Sequence, residues 1–298
     1  MNSTAKAEKK KRKFVTPKTA PYIFIAPAVI LFLLFTVYPV ISSLILSFQT
    51  TTGGVTEFAG LDNYRRLFND PLFYQALGNT FIILIIQVPI MLTLAVLLAV
   101  LMNSALLRMR GFFRVAFFMP AITALVAYAI VFMILLDENY GIVNYALSLV
   151  GIDPIAWLND PFWAKVSLII AVTWRWTGYN MVIFLAGLQG ISKDLYEAAS
   201  IDGAGKIRQF FSITLPQLKP IFLFTFVLST IGTLQLFDEP FILTGGGPNN
   251  STLTISLYLY LNGFRYFDFN YASAIAYVLV IIIAVLSWLQ MKVAGDKE

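Results

Sequence analysis

Six apolar stretches, each long enough to cross a bilayer as a helix, leave this chain few ways to fold. A hydrocarbon core about 30 Å thick is spanned by about 20 mostly apolar helical residues. The stretches run Tyr22–Phe48, Gly78–Met102, Phe112–Leu136, Lys165–Gln189, Leu218–Phe241 and Asn270–Met291. The fifth is the weakest: its strictly apolar part is Ile221–Phe237, so its ends belong at an interface or along a cavity. Charge is correspondingly scarce. Only 12% of residues are Asp, Glu, Lys or Arg, where a soluble domain carries about 25%. Lipid must be the solvent for much of the surface, and in lipid each segment has to satisfy its own backbone, as a helix does. The predicted fold is all-α, a polytopic membrane protein with six transmembrane helices.

Lys and Arg in the connections set the orientation. One side carries the basic run of residues 5–13, then Lys18, Arg108, Arg110, Arg114, Lys193, Lys206, Arg208, Lys219, Lys292 and Lys297. The other has Arg65, Arg66 and Arg265, with Lys165 at a span edge, among many acids. Both termini are therefore expected in the cytoplasm. Residues 1–18 read as a basic cytoplasmic tail, and residues 19–298 as the transmembrane domain. A basic run also suits nucleic acid, but one placed just before an apolar segment reads as an anchor to acidic lipid, and no nucleic-acid partner is expected. The first apolar stretch is too long for a cleaved signal sequence.

With no Cys and no His, disulfides, thiolate metal sites and imidazole relays are excluded. No carboxylate is expected deep in a span; Asp238 and Glu239 are placed toward the outer side, with a part in admitting solute left open. No outer connection has room for a catalytic domain. Gly141–Val150 suits a short helix at the membrane surface, and Gly245–Asn250 a turn. The chain reads as a transport subunit and not an enzyme, with no cofactor and no metal.

The most informative connection is cytoplasmic, residues 190–217. Ser192 suits an N-cap and Asp194 the first turn of a helix. A helix over Lys193–Asp202 puts Leu195, Ala198, Ala199 and Asp202 on one small, nearly flat face. Gly203 then allows a turn that a Cβ would resist, a second short helix reaches Phe211, and Pro216 restricts Leu215 and ends the excursion. This is either a plain connector or a helix-turn-helix with alanines that let a partner approach.

These residues resemble the EAA loop of the permease subunits of bacterial ABC importers. The pattern is Glu197-Ala198-Ala199, then Gly203, then Ile213, Leu215 and Pro216, with Asp202 before the glycine as is usual there. Gly60-Leu61-Asp62-Asn63-Tyr64, Leu185-Ala186-Gly187-Leu188-Gln189 and Thr244-Gly245-Gly246-Gly247-Pro248 are similar to the sugar-permease branch, of maltose, lactose, arabinose and glycerol-phosphate type. The resemblance implies a type I ABC importer permease in the bacterial inner membrane. Its partners would be a second homologous permease subunit, an ABC ATPase dimer and an extracytoplasmic solute-binding protein. Its cargo would be a sugar, first a di- or oligosaccharide, then a monosaccharide or glycerol phosphate. An ion-coupled transporter would leave the loop pattern unexplained. Gly203-Ala204-Gly205-Lys206 looks like a phosphate loop, but Ser200 replaces the first glycine and Ile207 the hydroxyl residue. Hydrolysis would fall to a partner.

Ionisable residues inside a span are functional candidates. In the fourth span Arg175, Trp176, Tyr179 and Asn180 share a broad helical sector, suited to the C–H faces and hydroxyls of a sugar. Arg175 either lines the pathway or ties helices together. In the fifth, Ser229, Gly232, Thr233 and Leu236 form a stripe, with Gln235 and Phe237 beside it, for solute or for helix packing. By resemblance to the maltose permease, Arg175, Trp176, Tyr179, Ser229, Thr233 and Leu236 stand at solute-contacting positions. Three of them differ chemically from that protein's residues, so its specificity does not carry over.

Overall fold

Two Asp-Pro pairs start the two longest buried helices. Asp70 accepts a hydrogen bond from the Leu72 N–H at 2.9 Å and is followed by Pro71. Asp160 accepts from Phe162 and Trp163 at 2.9 and 3.0 Å and is followed by Pro161. The carboxylate satisfies amides that a first turn leaves free, and proline gives up an N–H the helix does not need.

The structure is a computed structural model that describes residues 18–104 and 107–295; the basic run of residues 5–13 and Lys297 lie outside the described residues. The first span comprises α1 (Ala20–Phe32) and α2 (Tyr38–Ser47), joined by one wide π turn, Leu33–Val37. A hairpin of β1 (Gln49–Thr52) and β2 (Val55–Phe58) follows, antiparallel with Thr50 opposite Glu57. It adds two short strands to the all-helical expectation. Then come α3 (Asp62–Phe68) and the second span, α4 (Pro71–Asn103).

The third span departs from expectation. In place of one helix over Phe112–Leu136, α5 (Arg110–Ile122) and α6 (Leu125–Leu135) meet at 98°. Pro120 lies inside α5 and takes away an amide donor, and Thr123 is extended. At the end of α5 the Met119 carbonyl accepts both the Thr123 N–H at 3.1 Å and the Thr123 hydroxyl at 2.9 Å.

The short helix expected over Gly141–Val150 appears as α7 (Ile142–Ser148), and the fourth span as α8 (Pro161–Gln189). The connection of residues 190–217 folds into α9 (Lys193–Ile201), α10 (Lys206–Gln209), a π turn over Phe210–Thr214 and α11 (Leu215–Gln217). Leu215 keeps helical angles, so Pro216 starts a turn of helix where it was expected to end the excursion. Proline fits there because the first helical positions need no donor. The fifth span divides into α12 (Lys219–Leu234) and α13 (Asp238–Leu243), with Gln235, Leu236 and Phe237 between them. After a loop, α14 (Ile255–Tyr260) and a π turn lead to the sixth span, α15 (Phe269–Gly295).

α4 lies along α8 and also packs on α12; α15 joins α12 to α2, and α5 crosses α8. Small residues permit this closeness: Ala95 and Ala99 are fully buried, and Gly178 faces the backbone of α5. Broken helices are tolerated at membrane depth only where protein or a cavity covers them. Here the outer pieces of the two broken spans, α6 and α13, pack on each other.

Candidate functional site

Beside the break in the fifth span lies a cavity of about 350 Å³. α8 contributes Val172, Trp176, Tyr179 and Asn180; α12 contributes Leu228, Ser229, Gly232 and Thr233; the break and α13 add Gln235, Leu236, Phe237, Asp238 and Glu239. Of the pathway residues expected from sequence, Trp176, Tyr179, Asn180, Ser229, Thr233, Gln235 and Leu236 all line it. Trp176 and Tyr179 meet edge to face, ring centres 5.7 Å apart.

Two residues of the second span line the cavity too, Gln87 and Met91. The Thr233 hydroxyl donates to Gln87 Oε1 at 3.1 Å, and Gln87 Nε2 reaches Met91 Sδ at 3.1 Å. Asn180 Nδ2 donates to the Trp176 carbonyl at 3.0 Å. Asn180 Nδ2 also reaches Met91 Sδ at 3.6 Å, so Thr233, Gln87, Met91 and Asn180 link α12 through α4 to α8. Sequence reasoning missed Gln87, although a lone amide in an apolar span followed by Pro89 was a signal for it.

Arg175 is not in the lining. Its side chain is buried, with the guanidinium carbon 4.6 Å from the centre of the Tyr128 ring. The Nε and Nη1 groups of Arg175 and the Tyr128 hydroxyl have no hydrogen-bond partner among the described residues. Tyr128 is within electrostatic reach of both Arg175 and Glu239. Glu239, placed toward the outer side from sequence, is 3% exposed and lines the cavity. The break after Leu234 turns α13 inward and carries the acid with it.

In the loop of residues 190–217, Ser192 caps α9 by accepting from the Asp194 N–H at 3.3 Å. Gly203 takes φ +78°, the left-handed turn that favours glycine. Glu197, Ala198 and Asp202 are exposed, as are Leu195, Ile201 and Ile207, while Ala199 and Tyr196 turn partly inward. The flat face is thus redrawn, with Ile201 replacing Ala199. Ile213 is half-buried, and Leu215 and Pro216 are exposed. Gln209 is the pin that sequence reasoning missed. It is buried, and its Nε2 donates to Ser200 Oγ at 2.8 Å and to the Ala204 carbonyl at 3.0 Å, bridging the turn. The Tyr196 and Thr214 hydroxyls are 2.9 Å apart and tie α9 to the π turn.

At the opposite end of the bundle from that loop Asp70 gathers three helices. Its carboxylate accepts from the hydroxyls of Tyr258 and Tyr271, the latter at 2.6 Å. Burial pushes its pKa up, but bonds from the two tyrosines and from the Leu72 and Phe73 amides outweigh this and hold it below the usual carboxylate range. Arg66 covers the Tyr271 ring at 3.9 Å and pairs with Asp268 at 2.6 Å.

Residues 68–293 match the family described as "binding-protein-dependent transport system inner membrane component". The chain belongs to this family. It is a multi-pass inner-membrane permease, the non-catalytic transmembrane subunit of such a system. Curated relatives span nearly its whole length. The lactose transport system permease protein of Rhizobium radiobacter is 51% identical, covering 93% of this chain and 94% of its own. The arabinooligosaccharides transport system permease protein of Bacillus subtilis is 40% identical, at 99% and 94% coverage. The trehalose/maltose transport system permease protein of Thermococcus litoralis is 33% identical, at 91% and 92%. A solved bacterial ABC transporter involved in alginate import shares the fold, with a TM-score of 0.83 at 24% identity over 93% of this chain and 95% of that one. Another structure, of the alginate transporter with an alginate pentasaccharide-bound periplasmic protein, superposes with a TM-score of 0.81 over 91% and 92%.

Proposed function

We propose that this permease forms half of the translocation pathway of an ATP-driven importer of di- or oligosaccharides, its cavity being the sugar site. The observation that carries this is the lining itself: aromatic faces of Trp176 and Tyr179 beside the amides of Gln87, Asn180 and Gln235 and the hydroxyls of Ser229 and Thr233. Aromatic rings cover the C–H faces of a sugar, and a few placed polar groups orient its hydroxyls. The names of the relatives support the same cargo.

A second homologous permease completes the pathway, and a solute-binding protein delivers sugar from outside. An ABC ATPase docks on the loop of residues 190–217. Glu197, Ala198, Ala199, Asp202, Gly203, Ile213, Leu215 and Pro216 form that coupling element, and both termini face the cytoplasm. Leu195, Ile201 and Ile207 are exposed on the loop, apolar side chains of the kind a partner groove takes up. Uptake of labelled oligosaccharides into proteoliposomes holding the assembled transporter tests the reading. Trp176→Ala is expected to reduce uptake at least tenfold while leaving assembly intact. Unchanged uptake of every sugar tried would remove the cavity from the pathway.

A further inference from the structure

We infer that Asp238 and Glu239 make the cavity a charge filter that favours neutral polyhydroxy solutes over those bearing carboxylate or phosphate groups. The inference rests on the reading of the cavity as the solute path. Asp238 and Glu239 are the acidic residues of the lining, and neither Lys nor Arg is in it. Arg175, next to Trp176 of the lining, is not itself in the wall; it lies over the Tyr128 ring, and its charge acts on Glu239 from behind. Glu239 is nearly fully buried on α13, and the wall around it includes Leu125, Val172, Leu236 and Phe237. Apolar walls focus the field of a carboxylate into the space they enclose. An anionic group brought into this cavity meets the carboxyl groups of Asp238 and Glu239 with no cation in the wall, while a neutral sugar finds carboxyl oxygens that accept its hydroxyl protons. The filter acts by repelling the wrong solute as well as by bonding the right one.

The chain has no cysteine, so Ser229→Cys places its one thiol in the cavity wall. In the assembled transporter, its rates of modification by a cationic and an anionic methanethiosulfonate of similar size are measured by mass on this chain. Each is normalised to the same reagent on a free thiol. The ratio of cation to anion is expected to fall about tenfold when Asp238→Asn and Glu239→Gln are added together, the scale of removing nearby unit charges. Glu239→Asp should keep the ratio. Because the ratio is taken within one variant, a change of access that slows both reagents cancels. An unchanged ratio in the double variant overturns the filter, and so does a loss in Glu239→Asp as large as in Glu239→Gln, which would make the acid structural. Protection of the same thiol by oligosaccharide is a separate readout. Its absence would count against the sugar site, whatever the ratio shows.

Discussion

At the scale of single residues, two glycines on the spans that form the cavity have opposite surroundings. A Cβ on Gly178 would overlap the Phe117 carbonyl group, with the carbonyl carbon only 2.5 Å away. That neighbour is backbone of α5 and has no rotamer to change. A Cβ on Gly232 meets nothing within 4 Å. Gly178→Ala is therefore expected to destabilise the permease by about 3 kcal/mol, the upper end of overpacking costs. Gly232→Ala should be neutral or slightly stabilising, since helical glycine costs roughly 0.5–1 kcal/mol against alanine. Thermal unfolding of the detergent-purified transporter separates the two. Equal melting points would mean that α5 does not press on α8 as described. Neither glycine is distinguishable by spacing, because the close approach depends on where α5 turns.

The elements show what a sequence can disclose about such a fold. Five of the six stretches return as helices long and apolar enough to cross a bilayer, and the third as a bent pair, because about 20 apolar residues in a row have few alternatives in lipid. The two breaks were not legible. Pro120 was visible in the third stretch, but its hydropathy reads as continuous, and the 98° turn comes at Thr123 and Ala124, beyond the proline. The fifth stretch read as weakest at its ends, yet only the structure shows that it breaks after Leu234 and that Glu239 lines the cavity. In the coupling loop, the cap at Ser192 and the turn at Gly203 were readable from local chemistry, whereas Gln209 works through partners on a neighbouring helix and across the turn. Gln209→Leu leaves the Ala204 carbonyl without that donor, a loss of about 1–3 kcal/mol. It should raise amide hydrogen exchange in α9 while exchange in α4 stays as it was; protection of α9 equal to the wild type would show that the pin is dispensable. The Asp70 junction joins α4 to α14 and α15 by side chains distant in sequence. Its lowered pKa contributes stability that is present above the unfolded value of about 3.9 and is lost as pH falls through the folded one. Asp70→Asn should lower the melting point at pH 7, and the gap to wild type should narrow below about pH 4. A gap independent of pH would rule out the carboxylate as its source.

For the whole molecule, the question is how the loop of residues 190–217, proposed above as the coupling element, is linked to the cavity inside the bundle. The connection is covalent and short at both ends. α8 ends at Gln189, three residues before the α9 cap, and α12 begins at Lys219, just after α11. Those same two helices carry Trp176, Tyr179, Asn180, Ser229 and Thr233 in the cavity wall. Near the loop they press together, since a Cβ on Gly187 would come within 3.1 Å of Leu218 Cδ2. A push on α9 is therefore delivered to both sides of the proposed sugar site together, which is what a rigid-body change of access requires. The exposed Glu197, in the proposed coupling element, does not line the cavity. Glu197→Lys is thus expected to abolish sugar uptake and stimulated ATP hydrolysis, as is Gly203→Pro. In both variants the oligosaccharide should still protect Ser229→Cys from modification. Uptake at the normal rate would show that the ATPase engages elsewhere. Loss of protection along with uptake would show that the loop shapes the cavity at rest, and that its role is not confined to moving the helices that line it.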